Sequence, residues 1–192
     1  MRNFIDQSLR DAQQALDQLR NDPTTLDRIA AGARLLVDAL RAEKKALSVG
    51  NGGSMCDAMH FAEELLGRYR DDRPALPAIA CSDPSFITCA ANDYGYDQVF
   101  ARFVEGMGMP GDVLLAISTS GRSASVVNAA KAAREAGMSV ITLTGRADSE
   151  LALYADVEIV CEAGDTADRV QELHIKVIHI LIELIEREMQ FA

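Results

Sequence analysis

Apolar residues in the first forty positions recur at helical spacing. Ile5, Leu9, Ala12, Leu16 and Leu19 stand four, three, four and three residues apart, a narrow apolar seam along one side of a helix. "NDPTT" interrupts the pattern with Asp22 and Pro23 in the turn. Ile29, Ala33, Leu36 and Leu40 then mark one face of a second helix. The expectation is a helical hairpin over residues 1–43 whose seam packs on another helix, including that of a second copy of the chain.

From residue 44 the rhythm changes. Short apolar runs, "ALSVG" (46–50), "LPAIAC" (76–81), "DVLLAIS" (112–118), "MSVITLTG" (138–145) and "ADVEIVC" (155–161), alternate with helix-period segments. Continuous apolar runs mark strands buried on both faces, and their alternation with helices predicts a parallel sheet covered on both sides. Gly137 closes one of these helices as its C-cap, and 168–189 reads as a long helix, apolar nearly all round in its middle. No interior linker, repeat or low-complexity tract breaks the pattern. The predicted fold is α/β: a three-layer αβα sandwich with a five-stranded parallel sheet over 44–192, preceded by the hairpin, in a single domain of 192 residues.

Composition narrows the partners. The chain is 48% hydrophobic and 25% charged, with a formal net charge of −10. That balance argues against nucleic acid, which needs a basic footprint, and against an anionic membrane surface. A small phosphorylated ligand remains open, since a few local donors hold it. Cys56, Cys81, Cys89 and Cys161 form no CxxC pair and read as buried thiols of a reducing compartment. The opening "MRNFIDQSLRDAQQ" lacks a signal-peptide pattern, and no stretch approaches the ~20 apolar residues of a membrane helix. The expected location is the cytoplasm.

Open parallel sheets bind ligands beyond the carboxyl ends of their strands. There stand "GNGGSM", "CSDPS", "STSGRS" and "TGRADS". In "STSGRS", Ser118, Thr119, Ser120 and Ser123 bring more hydroxyls than helix capping needs, at a place where helix-initial N–H groups are unpaired. That predicts an anion loop. "GNGGS" is neither a Walker loop nor a strict GxGxxG. It reads either as a tight turn capped by Ser54 or as the second half of a cradle, with Asn51 and the glycine backbone at sugar hydroxyls.

Asp57, His60 and Glu64 follow an i, i+3, i+7 pattern, so His60 and Glu64 share a helix face as a metal-ligating pair or as a solvated one. His174 and His179 are five apart and point about 140° away from each other. His179, between Ile178 and Ile180, reads either as a buried core histidine or as a catalytic or metal-bound imidazole. Gln171 lies eight residues before it, about 12 Å along a helix. To share an ion with His179, it must sit in a frayed first turn or the preceding loop, or reach a neighbouring subunit's site.

"LSVGNGGSMCDAMHFAEELLGRYR", "AANDYGY", "GDVLLAISTSGRSASVVNAAKAAREAGM" and "ADRVQELHIKVIHILIELIE" closely resemble the bacterial phosphoheptose isomerases of the sugar isomerase (SIS) superfamily. The resemblance runs from the first helix to the last. It implies interconversion of sedoheptulose 7-phosphate and D-glycero-D-manno-heptose 7-phosphate through a cis-enediol, the first step toward nucleotide-activated heptose for the cell envelope. It further implies a homotetramer with sites at subunit interfaces and one zinc ion per subunit. Carried over by position, the zinc ligands are His60, Glu64, Gln171 and His179, and the catalytic pair is Glu64 and His179. Substrate contacts fall on Asn51, Gly52, Gly53, Glu64, Asn92, Asp93, Ser118, Thr119, Ser120, Ser123 and Gln171. Two stretches depart from the family pattern: Met55 replaces a histidine, and "CEAGDTADR" (161–169) lacks a proline. The alternatives are a SIS isomerase of another sugar phosphate and a non-catalytic SIS scaffold of the kind that assists a replication initiator.

Overall fold

The computed structural model describes residues 1–164 and 166–191. Two helices come first, α1 (Arg2–Arg20) and α2 (Pro23–Arg41). β1 (Ala46–Gly50), α3 (Gly53–Leu66) and β2 (Ala78–Ala80) follow. After them come α4 (Pro84–Tyr94), a 3-10 turn at Tyr96–Gln98, α5 (Val99–Met107) and β3 (Val113–Ser118). The chain continues with α6 (Ala124–Glu135), β4 (Ser139–Thr144), a second 3-10 turn at Leu151–Tyr154, β5 (Val157–Val160) and α7 (Ala167–Glu188). The five strands pair in parallel in the order β2-β1-β3-β4-β5.

Side-chain alternation divides the apolar runs between two cores. In β3, Val113, Leu115 and Ile117 face a core built with α2, α3 and α7, where Leu36, Phe61, Leu65, Ile178 and Leu181 are fully buried. Leu114 and Ala116 face the opposite core, built with α4, α5 and α6 around Phe100, Val104 and Val126. Among the described residues, no helix is long and apolar enough to cross a membrane.

Several expectations shift. β2 is shorter than "LPAIAC", because the Leu76 N–H turns back to the carbonyl of Leu65 at the end of α3 (2.9 Å) instead of joining the sheet. The seam of α1 finds little cover within the chain. Only Ala15 and Leu19 are buried, while Phe4, Ile5, Leu9 and Leu16 stand exposed by 43% or more. Of the two readings open for His179, the buried core one is not met: His179 is only half-buried, and the fully enclosed histidine is His174. Sequence neighbours on a helix point about 100° apart, so flanking isoleucines do not bury the residue between them.

Arg73 ties the end of α3 to α7. Its side chain, 1% exposed, donates to Glu186 Oε1 (2.8 Å) and to the carbonyls of Glu64 (2.7 Å) and Leu65 (2.8 Å). One guanidinium thus satisfies carbonyls that the helix leaves open and joins two elements. Glu186→Ala leaves that buried charge without its carboxylate. The expected loss is roughly 3–5 kcal/mol in urea unfolding, and a loss under 1 kcal/mol would show the tie to be dispensable.

Burial holds the His174 pKa down at about 4 against an ordinary 6.5, with only the Thr144 backbone opposing. The neutral form belongs to the folded state, so this contribution is complete above pH 6.5 and is lost as pH falls toward 4. At 1.36 kcal/mol per unit, about 2 kcal/mol disappears between pH 6.5 and 5. Urea midpoints of the wild type should therefore fall more steeply over that range than those of His174→Gln; parallel slopes would refute the assignment.

Candidate active site

β1 and β3 are neighbours, with Gly50 opposite Ile117, yet the chain leaves them on opposite faces of the sheet. α3 packs in one core and α6 in the other. Their N-termini flank the switch point of the sheet, the place where ligands of such sheets bind. The glycine turn forms one wall. A Cβ on Gly50 would come within 2.5 Å of the Ser54 carbonyl oxygen. Gly52, at φ +56°, is the N-cap of α3, and Ser54 is buried in the first turn rather than capping it. Asn51 Oδ1 accepts from the Tyr96 hydroxyl (2.7 Å), and its Nδ2 donates to Ser125 Oγ (3.0 Å).

The hydroxyl loop forms the other wall. Gly121 turns at φ +63° so close to Ser149 that an added Cβ would come within 2.3 Å of it. That turn brings the Gly121 N–H to Ser118 Oγ (3.1 Å) and gathers Ser123 and Ser120 Oγ at 3.3 and 3.5 Å from it. Ser123 is also the N-cap of α6. Three hydroxyls and Thr119 thus stand at the start of a helix, where unpaired N–H groups attract an anion. Asn92 and Asp93 lie exposed on the last turn of α4. Their side chains bond to one another (2.8 Å), and the Cys89 thiol donates to Asp93 (3.6 Å).

The metal-ligating candidates sit along the seam of α3 and α7. Gln171 lies against Gly53, where a Cβ would meet its Oε1 at 2.5 Å. About two turns further along both helices, His60 meets His179, with their Nε2 atoms 2.9 Å apart and the rings edge-on at 5.1 Å. The two helices therefore run side by side in the same direction. Glu64 Oε1 is 3.5 Å from His60 Nε2, and ligand atoms of His60, Glu64 and His179 all lie within 4.8 Å of one another. Two imidazole nitrogens at 2.9 Å need either a shared proton or a common cation, and two imidazoles with a carboxylate are the donor set of a zinc-type site.

Gln171 is separate from this trio within the chain. It occupies the second turn of a helix that begins at Ala167, not a frayed end or a preceding loop. About 12 Å of α7 lies between it and His179.

Electrostatics suit acid–base work. Burial, aided by the charge of Glu63, raises the Glu64 carboxyl above its ordinary value. Burial, aided by His60, holds the His179 imidazole below its own. Asp57, buried one turn before His60, is pushed up to about 6 by desolvation and leaves Oδ2 without a partner. Three further residues carry no periodic signal in the sequence: Tyr69, whose ring lies 5.6 Å from that of His179, Tyr96 at Asn51, and Arg73 at the end of α3. Met55 packs against the core of α4–α6. In the 161–169 loop, Asp165 lies outside the described residues, and Asp168 is exposed in the first turn of α7.

Residues 9–145 match the SIS domain model. The phosphoheptose isomerase of Enterobacter sp. (strain 638) is 56% identical over 187 residues, covering 97% of both chains. That of Proteus mirabilis is 54% identical over 188 residues and 98% of both. Among solved structures, the Francisella tularensis phosphoheptose isomerase superposes with a TM-score of 0.90 at 34% identity, covering 96% of this chain and 97% of that one. The Neisseria gonorrhoeae enzyme does so at 0.83 and 38%, covering 96% of both. With end-to-end likeness in both sequence and fold, the chain belongs to the phosphoheptose isomerase family of SIS-domain proteins.

Proposed function

We propose that this chain interconverts sedoheptulose 7-phosphate and D-glycero-D-manno-heptose 7-phosphate, in the cytoplasm, as the first step toward nucleotide-activated heptose. The observation that carries the reading is the meeting of Glu64, a carboxyl raised by burial, with the His60–His179 pair on adjacent helices. A non-catalytic scaffold has no use for a half-buried acid–base set.

Ser118, Thr119, Ser120 and Ser123 hold the phosphate, and Asn51, Gly52, Gly53, Asn92, Asp93 and Gln171 hold the polyol. Their binding energy positions carbons far from the phosphate. Glu64 takes the proton from C1 of the ketose while His179 protonates the C2 oxygen, giving the cis-enediol. His179 then removes the O1 proton as Glu64 returns its proton to C2, leaving the aldehyde at C1. One proton moves between carbons, one between oxygens, and both groups end as they began. A zinc ion on His60, Glu64, Gln171 and His179 would add Lewis acidity at the carbonyl and stabilise developing negative charge on oxygen, and it would compete for the Glu64 and His179 lone pairs that the proton transfers use.

Those four ligands belong to one site only if Gln171 and the trio come together across a subunit interface, because α7 holds them two turns apart. The exposed Phe4, Ile5, Leu9 and Leu16 face of α1 supports assembly through the N-terminal hairpin, here into a homotetramer.

In D₂O the wild type should incorporate solvent deuterium into the sugar, and Glu64→Gln should lose at least about a hundredfold of that exchange. Wild-type exchange in the mutant would remove Glu64 as the base, and no turnover of sedoheptulose 7-phosphate by the wild type would refute the isomerase reading. Leu9→Glu should shift the tetramer to smaller species in light scattering and lower activity in step. A monomeric, fully active wild type would refute the interfacial site.

A further inference from the structure

The side chain of Asn51 is held at both ends. Tyr96 and Ser125 engage its oxygen and its nitrogen at 2.7 and 3.0 Å. These two residues belong to different elements: Tyr96 opens the 3-10 turn after Gly95, and Ser125, 2% exposed, lies in the first turn of α6. The Tyr96 turn is itself anchored, since Asn128 Nδ2 on α6 donates to the Asp97 carbonyl (3.0 Å). A primary amide offers two N–H donors and two lone pairs. One of each is used here, which leaves one N–H and one lone pair in a plane the two hydroxyls define.

We propose that Tyr96 and Ser125 are positioning residues that hold the Asn51 amide in the orientation that reads a pair of sugar hydroxyls. This rests on the reading of Asn51 as a sugar contact. A free asparagine would have to lose its rotamer freedom on binding, whereas the clamped one has already lost it, so ligand hydroxyls meet a fixed donor and acceptor. The clamp also links the glycine turn to α6, the helix that begins at the hydroxyl loop. The polyol wall and the phosphate wall of the site are thus held in register by hydroxyls that need not touch the ligand.

The test is a kinetic cycle with sedoheptulose 7-phosphate as substrate and inorganic phosphate as competitive inhibitor. Tyr96→Phe removes only the hydroxyl and should raise KM about three- to tenfold, with a smaller change in kcat. Inhibition by inorganic phosphate should change by less than about twofold, because that ion binds the serine loop. Ser125→Ala should act in the same direction. Asn51→Ala should raise KM at least as much, and adding Tyr96→Phe to it should raise KM no further. The clamp is refuted if Tyr96→Phe behaves as wild type, or if its full effect persists beside Asn51→Ala, the mark of a purely structural role. If Asn51→Ala leaves KM unchanged, the sugar contact falls and the clamp with it. No turnover by the wild type overturns the isomerase reading itself.

Discussion

Everything at the site depends on the reversal between β1 and β3. Two parallel strands lie side by side, but right-handed crossovers carry the chain from β1 toward β2 over one face and from β3 toward β4 over the other. The helices that follow them must diverge, and the gap they leave is lined by whatever each chain segment presents as it leaves the sheet. Here one segment presents glycines and Asn51, the other serines and a threonine. The glycine turn and the hydroxyl loop are set on separate walls by topology before any side chain is chosen.

A second consequence follows on the far side of α3. Because α7 also begins beyond the carboxyl edge of the sheet, it lies alongside α3 in the same direction, and the two helices keep step over two turns. Gln171 meets the start of α3, and His179 meets His60. The buried Arg73–Glu186 tie fixes the later turns of the same pair, beside Glu64. The meeting of His60, Glu64 and His179 is therefore a product of helix register: two imidazoles and a carboxylate from distant parts of the chain come together where apolar packing of α3 and α7 leaves a half-buried seam.

Much of this was legible in the chain. The apolar runs gave the five strands because a strand covered on both faces has no polar positions to spare. The hydroxyl loop stood out because its serines exceed what a cap needs. His60 and Glu64 declared a common face through their spacing, and resemblance to the family's segments paired them with His179. Periodicity could not tell a solvated pair from a ligand pair, since that depends on what packs opposite. It likewise could not tell which histidine the core encloses, because His174 and His179 differ in the direction they point and not in the apolarity of their neighbours.

The information carried along the chain is local: the periods that make strands and helices, the glycines that permit the turns, and the chemistry available at each strand end. Which of those groups meet depends on the fold. It brought His60 to His179, set Gln171 two turns away, and closed Tyr96 and Ser125 on Asn51. The reason is physical. Local propensity acts over a few residues, whereas each of these contacts joins residues from separate elements and exists only once the sheet order has placed those elements together.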